Sequence, residues 1–265
     1  PGITQSAITY EPAKAAARKM EKKMHDQLDE SSAEKHLRSA TFECSLFGTG
    51  VMKGPFAYDK EYPRWDSEGN YDPLYQTIPK VEYVSIWDFY PDPDARNMDE
   101  AEFTIQRHRM SRSQLRGLKR RPHFRDESIE LSIDYGSNYI REYWENTLED
   151  DAATTDIDRY EVLEYWGVLD SELAEEADFD IPEDLQDRDQ IQVNIWVCNG
   201  QILRLVLNPF TPIRIPYCAV PYEMNPYSFF GVGVAENMED TQLLMNGFMR
   251  MSVDNSALSG NLLIE

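Results

Sequence analysis

Two periods of apolar spacing divide the chain, and each change of period marks an element. Between Glu11 and Leu28, "EPAKAAARKMEKKMHDQL" is dense in Ala, Lys, Glu and Met, all good helix formers, and Pro12 falls where a first helical turn tolerates it. The stretch "SSAEKHLRSATFECSLFGTG" predicts a second helix. Ser31 and Glu34 have capping-box spacing, Gly48 or Gly50 can end the helix, and Leu37, Phe42, Leu46 and Phe47 suggest a buried face. His25 and His36 stand beside charges on these helices, where solvation or capping accounts for them without ligation.

After Gly50 the spacing shifts towards two. "VMKGPFAYDKEYP" and "YQTIPKVEYVSIWDFYPDP" are rich in Val, Ile, Tyr and Trp and predict strands. Prolines 55, 63, 73, 79, 91 and 93 punctuate them and argue for edge strands and turns. "AEFTIQRHRM" predicts another strand, and "SRSQLRGLKRR" a short helix in which Ser111 and Gln114 match the capping box. Further on, "IQVNIWVCNGQILRLVLNP" sets two alternating apolar runs around Asn199-Gly200, the dipeptide best suited to a two-residue hairpin turn. "TPIRIPYCAVPYEMNP" is then stiffened by proline and predicts an extended connector.

The last stretch, "PYSFFGVGVAENMEDTQLLMNGFMRMSVDN", turns from extended to helical at Gly231 and Gly233. A glycine pair at a helix start invites comparison with a phosphate-binding fingerprint, which wants a third glycine where this chain has Glu236. A carboxylate in the first helical turn already answers the positive helix end and would repel a phosphate. The glycines are better explained by a sharp turn or a close backbone approach. Behind them Met238, Thr241, Met245, Phe248 and Ser252 recur at spacings of three and four and form one stripe, which Leu243 and Leu244 widen. The methionines are adaptable, and the pattern points to packing against another copy.

Charge changes the picture more than composition does. The chain of 265 residues is 41% apolar, long enough for one large domain or two smaller ones, and its formal charge is −22. No apolar run is long enough for a membrane span and nothing resembles a signal peptide, so a soluble protein from a reducing compartment is expected. Cys44, Cys198 and Cys218 are odd in number and lack metal-ligand spacing, which predicts buried thiols and no zinc site. Such an acidic chain cannot grip duplex DNA over its whole surface, since that affinity comes from cations displacing counterions. It is either simply a soluble acidic protein or a surface that DNA passes without sticking.

Two charge blocks stand out. Arg107, Arg109, Arg112, Arg116, Lys119, Arg120, Arg121 and Arg125 gather cations that either meet an acidic partner, such as a neighbouring subunit, or form a solvated face. From Glu142 to Asp189 acids dominate, which predicts solvated loops around the strand "RYEVLEYWGVLD". No EF-hand pattern supports calcium there. Asp88, Asp92, Asp94 and Asp99 in "WDFYPDPDARNMD" leave a divalent-metal enzyme as an alternative, weighed against a proline-braced turn, because no His or Lys accompanies them. No cofactor and no catalytic grouping is indicated.

The run "YSFFGVGVAENMEDTQLLMNGFMRMSVDN" resembles the segment of tailed-phage portal (head-to-tail connector) proteins in which a Phe-Gly-x-Gly turn feeds a helix carrying Glu, Asp-x-Gln and a late Asn. "VSIWDFYPDPDARNMDEAEFTIQRHRMSRSQLRGL" resembles a second portal hallmark: an aromatic-Asp-Phe strand end, an Asp-Pro-x-Ala turn, then a strand and a short helix. Both occur in the order found in the short-tailed-phage branch.

The resemblance implies an α+β fold: a mixed helix and antiparallel-sheet wing domain over 1–225, then a turn and first stem helix over 226–265. Clip, second stem helix and crown would lie outside this chain. It implies a structural, non-enzymatic protein in a homododecameric ring at the capsid vertex of the virion, assembled in the host cytoplasm. The ring would pass double-stranded DNA during packaging and ejection without reading its sequence. Its partners would be the terminase large subunit, the major capsid and scaffolding proteins, and tail or adaptor proteins, with no membrane. On that map Glu236, Glu239 and Asp240 are candidates for the channel surface, and Gly231 and Gly233 for the wing-stem turn. Arg109, Arg112, Arg116, Met238, Met245 and Phe248 are candidates for subunit interfaces. The alternative is a ring-forming virion or scaffold protein that conducts no DNA.

Overall fold

The computed structural model of the chain describes residues 7–67, 69–140, 142, 145, 158–177, 179, 181–182, 185, 188–210 and 214–260. In chain order its elements are α1 (Ala7–Glu30), α2 (Ala33–Phe47), β1 (Thr49–Tyr62), β2 (Leu74–Val84), β3 (Phe89–Pro91), β4 (Phe103–Met110) and α3 (Arg112–Gly117). They continue with α4 (Asp126–Asp134), β5 (Tyr160–Asp170), α5 (Ser171–Glu176), β6 (Gln190–Cys198), β7 (Gln201–Leu207), β8 (Tyr217–Pro221) and α6 (Val234–Gly260). The mixture of helix and antiparallel sheet, closed by a C-terminal helix, is the class the sequence predicts. Contacts divide the chain into two compact units, Pro1–Val84 with Cys218–Glu265, and Ser85–Tyr217.

In the first unit, the joint between α1 and α2 departs from the expected capping box. The Ser31 hydroxyl donates to the Leu28 carbonyl at 2.9 Å, so Ser31 closes α1, whose last carbonyls lack helical partners. Ser32 precedes α2 in a left-handed conformation with no side-chain cap. At the other end Gly48 (φ 88) stops α2, its N–H donating to the Cys44 carbonyl. The buried positions of α2 are Ala40 and Glu43, while Leu37, Phe42 and Leu46, expected inside, are exposed. The reason is close approach: a Cβ on Gly50 of β1 would come within 3.1 Å of Cys44 Cβ and 3.0 Å of the Ala40 carbonyl carbon. At Ala40 and Cys44 only small side chains fit a helix laid so near a strand, and the large apolar ones are turned aside.

The three-stranded sheet has the order β2-β1-β8. β1 and β2 pair antiparallel from Val51↔Val84 to Tyr62↔Leu74, with a register shift between Lys53 and Phe56. That shift contains Pro55, which lacks a ladder donor, so a proline sits in a strand flanked on both sides. The expectation of edge strands therefore holds for β2 and not for β1.

The second unit is a five-stranded antiparallel meander, β3-β4-β5-β6-β7. The Asn199-Gly200 turn forms as predicted, with φ of 50 and 72. Asn199 also donates to the Ser132 and Gly136 carbonyls at 2.7 and 3.0 Å, fastening the hairpin to the end of α4. The capping box of α3 forms between Ser111 and Gln114. In β6 and β7, Trp196 pairs with Arg204 but Val197 pairs with Ile202, leaving Leu203 as the bulged residue. The bulge sends Leu203 to the core that α3 and α4 cover, with Leu115, Ile129, Val162 and Trp196, while Leu205 faces Ala174, Ile191 and Val193.

Of the acidic stretch from Glu142 to Asp189, the loop "EDDAATTDID" lies outside the described residues except for Asp158, and the expected strand forms as β5. Behind it the chain forms α5 where a loop is expected, and two carboxylates of the stretch, Glu145 and Glu164 of β5, are buried. Glu164 accepts from Trp166 Nε1 at 2.7 Å and pairs with His108 Nε2 at 2.7 Å. Cys198 is buried as expected of a thiol, and burial pushes it up to about 11; Cys218 is exposed, against expectation, because β8 turns it outward.

Leu203 is fully buried at the bulge, so Leu203→Ala is expected to cost about 3 kcal/mol in urea denaturation. Leu131→Ala, on the exposed side of α4, is expected to change stability by less than about 0.5 kcal/mol.

Candidate assembly surfaces

The turn into α6 is built from backbone. The Gly231 N–H donates to Thr49 Oγ1 at 2.8 Å and the Val232 N–H to the Glu223 carbonyl at 2.9 Å, while the Gly48 carbonyl accepts from Tyr222 at 2.8 Å. Asn237 in the first turn of α6 donates through Nδ2 to Glu223 Oε2 at 2.9 Å. A Cβ on Gly231 would lie 2.6 Å from both the Gly48 and Glu223 carbonyl oxygens, and one on Gly233 would lie 2.5 Å from the Leu46 carbonyl oxygen. Neither glycine has a positive φ, so the requirement is for room and not for torsional freedom. Two N–H groups of the kind that cradle a phosphate, those of Gly231 and Val232, are already spent on protein oxygens.

Beyond this seam α6 runs for 27 residues with no buried side chain. At about 100° per residue, Glu236, Glu239 and Asp240 fall within roughly 100° of one another. Met238, Met245 and Phe248 share the opposite side, and Phe248 is 65% exposed. The three acids thus share one side near the start of the helix, where exposed Leu243 also falls, and the three apolar candidates share the other.

The cation block of the second unit is brought largely into internal pairs. Arg107 is buried and donates through Nε to Asp88 Oδ1 at 2.9 Å, with Glu142 Oε1 3.5 Å from Nη1. Its guanidinium carbon lies 6.0 and 5.9 Å from the Tyr90 and Tyr139 rings. Arg109 bonds Glu145 and stands 3.6 Å from the second oxygen of Asp88. Burial works to lower both guanidiniums, but Asp88 and the tyrosines outweigh it and hold them above their usual range. Tyr139 donates to Glu145; burial first, and then this bond, push its phenol up to about 12. Arg116 and Lys119 both reach Glu130, at 3.7 and 2.6 Å. Arg112, at the first position of α3, is exposed.

The aspartates of the Asp-Pro turn are employed in the fold. Asp88 faces the two arginines, and Asp92 accepts from the Asp94 and Glu102 N–H groups at 3.0 and 3.1 Å. Among the described residues no group of three or more His, Cys, Asp or Glu is placed to hold a metal ion, and no helix is long and apolar enough to cross a membrane. Sequence reasoning missed Glu145 and Glu164, whose burial has no local signal inside an acid-rich stretch. It also passed over the cations of α1, which the repetition of Lys and Arg between residues 14 and 23 displays openly.

A family model described as phage SU10 portal protein matches residues 4–262. No curated protein matches the chain.

Gly231→Ala and Gly233→Ala are each expected to cost about 1–3 kcal/mol in thermal or denaturant unfolding, through overpacking against carbonyls. Gly247→Ala, which meets open space within α6, is expected to stabilise the helix by up to about 1 kcal/mol. Because Tyr139 holds its proton beyond the ordinary value near 10, its contribution is present below that pH and lost as pH rises towards about 12. A spectrophotometric titration should show a late tyrosine step that Tyr139→Phe removes.

Proposed function

The chain belongs to the phage SU10 portal protein family, and on that premise we propose that it is a structural subunit of the ring at one capsid vertex, through which double-stranded DNA is packaged and ejected. The observation that carries the reading is α6. A helix of 27 residues spans about 40 Å, and this one buries nothing within its own chain. It needs neighbours on its apolar side, and a ring of copies supplies them. Met238, Met245 and Phe248 then lie between subunits, and Glu236, Glu239 and Asp240 line the channel.

A ring of such helices confronts DNA with a wall of like charge. Repulsion between exposed charges reaches over a Debye length of about 8 Å at physiological salt, which keeps the duplex from adhering while leaving it free to move along the axis. On this reading residues 1–225 serve as the wing and 226–265 as the turn and first stem helix. Arg109, Arg112 and Arg116 lie towards a subunit boundary. The chemistry is mechanical and electrostatic, and the protein has no catalytic residues of its own. The same reading gives it the virion as its location and, as partners, the terminase large subunit, capsid and scaffolding proteins, and tail or adaptor proteins.

Electron microscopy of the full-length protein is expected to show rings with an open axial channel. The Glu236→Gln, Glu239→Gln, Asp240→Asn triple variant should still form rings but package DNA more slowly in a reconstituted assay. Closed rings, acids pointing away from the lumen, or unchanged packaging would sink the reading.

A further inference from the structure

Helix α1 is neutral as a whole, since five bases stand against Glu11, Glu21, Asp26, Asp29 and Glu30, but its bases are gathered in the middle of the helix. Residues 14–23 hold five bases, Lys14, Arg18, Lys19, Lys22 and Lys23, against the single acid Glu21, in a protein of formal charge −22. These side chains are exposed, and Arg18, Lys19, Lys22 and Lys23 form no ion pair among the described residues. In the arginine block of the second unit, by comparison, Arg107, Arg109, Arg116 and Lys119 are already answered by Asp88, Glu130, Glu142 and Glu145.

The same helix has an uncovered apolar side. Met20, Met24 and Leu28 recur every four residues and so form one stripe, and all three are at least half exposed. At about 100° per residue, Lys19 and Lys23 run along one side of that stripe beside Met20 and Met24, with Asp26 and Glu30 following on the same side nearer Leu28, and Lys14 and Arg18 run along the other. What such a helix fits is an apolar groove with acidic edges.

The second unit contains a groove of that description. It has a volume of about 430 Å³, a floor that includes Phe103, Tyr165, Leu169 and Leu173, and the carboxylates of Glu102 and Asp170 among its lining. Leu173 is 51% exposed there. The groove belongs to the most acidic part of the sequence, since residues 142–189 carry nineteen acids against two bases.

We propose that α1 of one copy of this chain docks in this groove of a second copy, with Met20 and Met24 on the apolar floor and Lys19 and Lys23 against Glu102 and Asp170. The contact is heterologous, since helix and groove are different surfaces, and heterologous contacts give a ring when the rotation from copy to copy closes. It also answers a physical problem: copies that each carry −22 repel one another, and assembly requires a place where opposite charges meet. Duplex DNA would use the cations but leave the apolar stripe idle. A membrane surface would want larger apolar residues than the alanines and methionines that α1 offers.

The proposal rests on the ring reading above, and its test separates the two. Self-association of the full-length chain is followed by sedimentation equilibrium and by electron microscopy, with circular dichroism to confirm folding. Lys19→Glu with Lys23→Glu is expected to raise the dissociation constant between copies roughly tenfold or more and to abolish rings, and adding Glu102→Lys with Asp170→Lys should restore association to within about threefold. A second measurement is independent of charge: Met20→Cys and Leu173→Cys, in separate copies that are then mixed, should form an intermolecular disulfide under mild oxidation. Rings in the wild type that persist unchanged in the lysine variant would overturn the proposal alone, as would a charge swap that fails to restore association or a cysteine pair that fails to cross-link. Normal self-association with lost retention of duplex DNA would make α1 a nucleic-acid contact and overturn it too. A wild type that stays monomeric at all concentrations would sink the ring reading together with it.

Discussion

Three glycines bring the end of one helix against the beginning of another with nothing but main chain between them. Gly48 stops α2, and Gly231 and Gly233 pass so near it that a methyl group on any of the three would meet a backbone atom. Thr49, fully buried, receives the Gly231 N–H at this seam, and Glu223 holds Val232 before α6 through its backbone and Asn237 in the first turn through its side chain. Everything attributed to α6 depends on this seam, because the helix has no buried side chain that could hold it in place. Its position relative to α2 is set at one end only, by contacts with almost no slack.

The second unit relies on a different kind of constraint. Its sheet is a plain meander, and the buried ion network around Asp88, Arg107, Arg109 and Glu145 ties β4 to the segments on either side of it in sequence. Buried ion pairs of this kind add little net stability over an apolar replacement, but an unpartnered member is costly. The network therefore serves geometry more than energy: each charge must find its particular partner, and misplaced packings leave one of them stranded.

Features fixed by neighbouring residues were legible from sequence, and features fixed by distant ones were not. The Asn199-Gly200 hairpin and the Ser111-Gln114 capping box each depend on a few adjacent residues, and both form as expected. The Ser31-Glu34 spacing looked the same on paper, yet the Ser31 hydroxyl went to the helix behind it, since a serine between two helices can serve either end. The buried side of α2 was misjudged because apolar periodicity says nothing about how near a strand will lie, and here nearness selected Ala40 over Leu37 and Phe42. Glu145 and Glu164 have no signal of their own in an acid-rich sequence, since burial of a carboxylate is decided by partners far along the chain, Arg109 and His108. In the glycine motif, Glu236 is enough to argue against a phosphate, but the main chain that crowds Gly233, and half of what crowds Gly231, lies more than 180 residues earlier, beyond the reach of any local pattern.

A seam of main chain also has a consequence for how such a protein can change over evolutionary time. Side-chain contacts drift by compensation, one residue enlarging as its neighbour shrinks. Gly48, Gly231 and Gly233 have nothing to shrink, and their neighbours are carbonyls and amides that no substitution removes. The direction in which α6 leaves the fold is thus held apart from its composition. From Val234 onwards the helix can exchange its acids and methionines while still starting from the same place, so surface chemistry can diversify without altering the geometry that presents it.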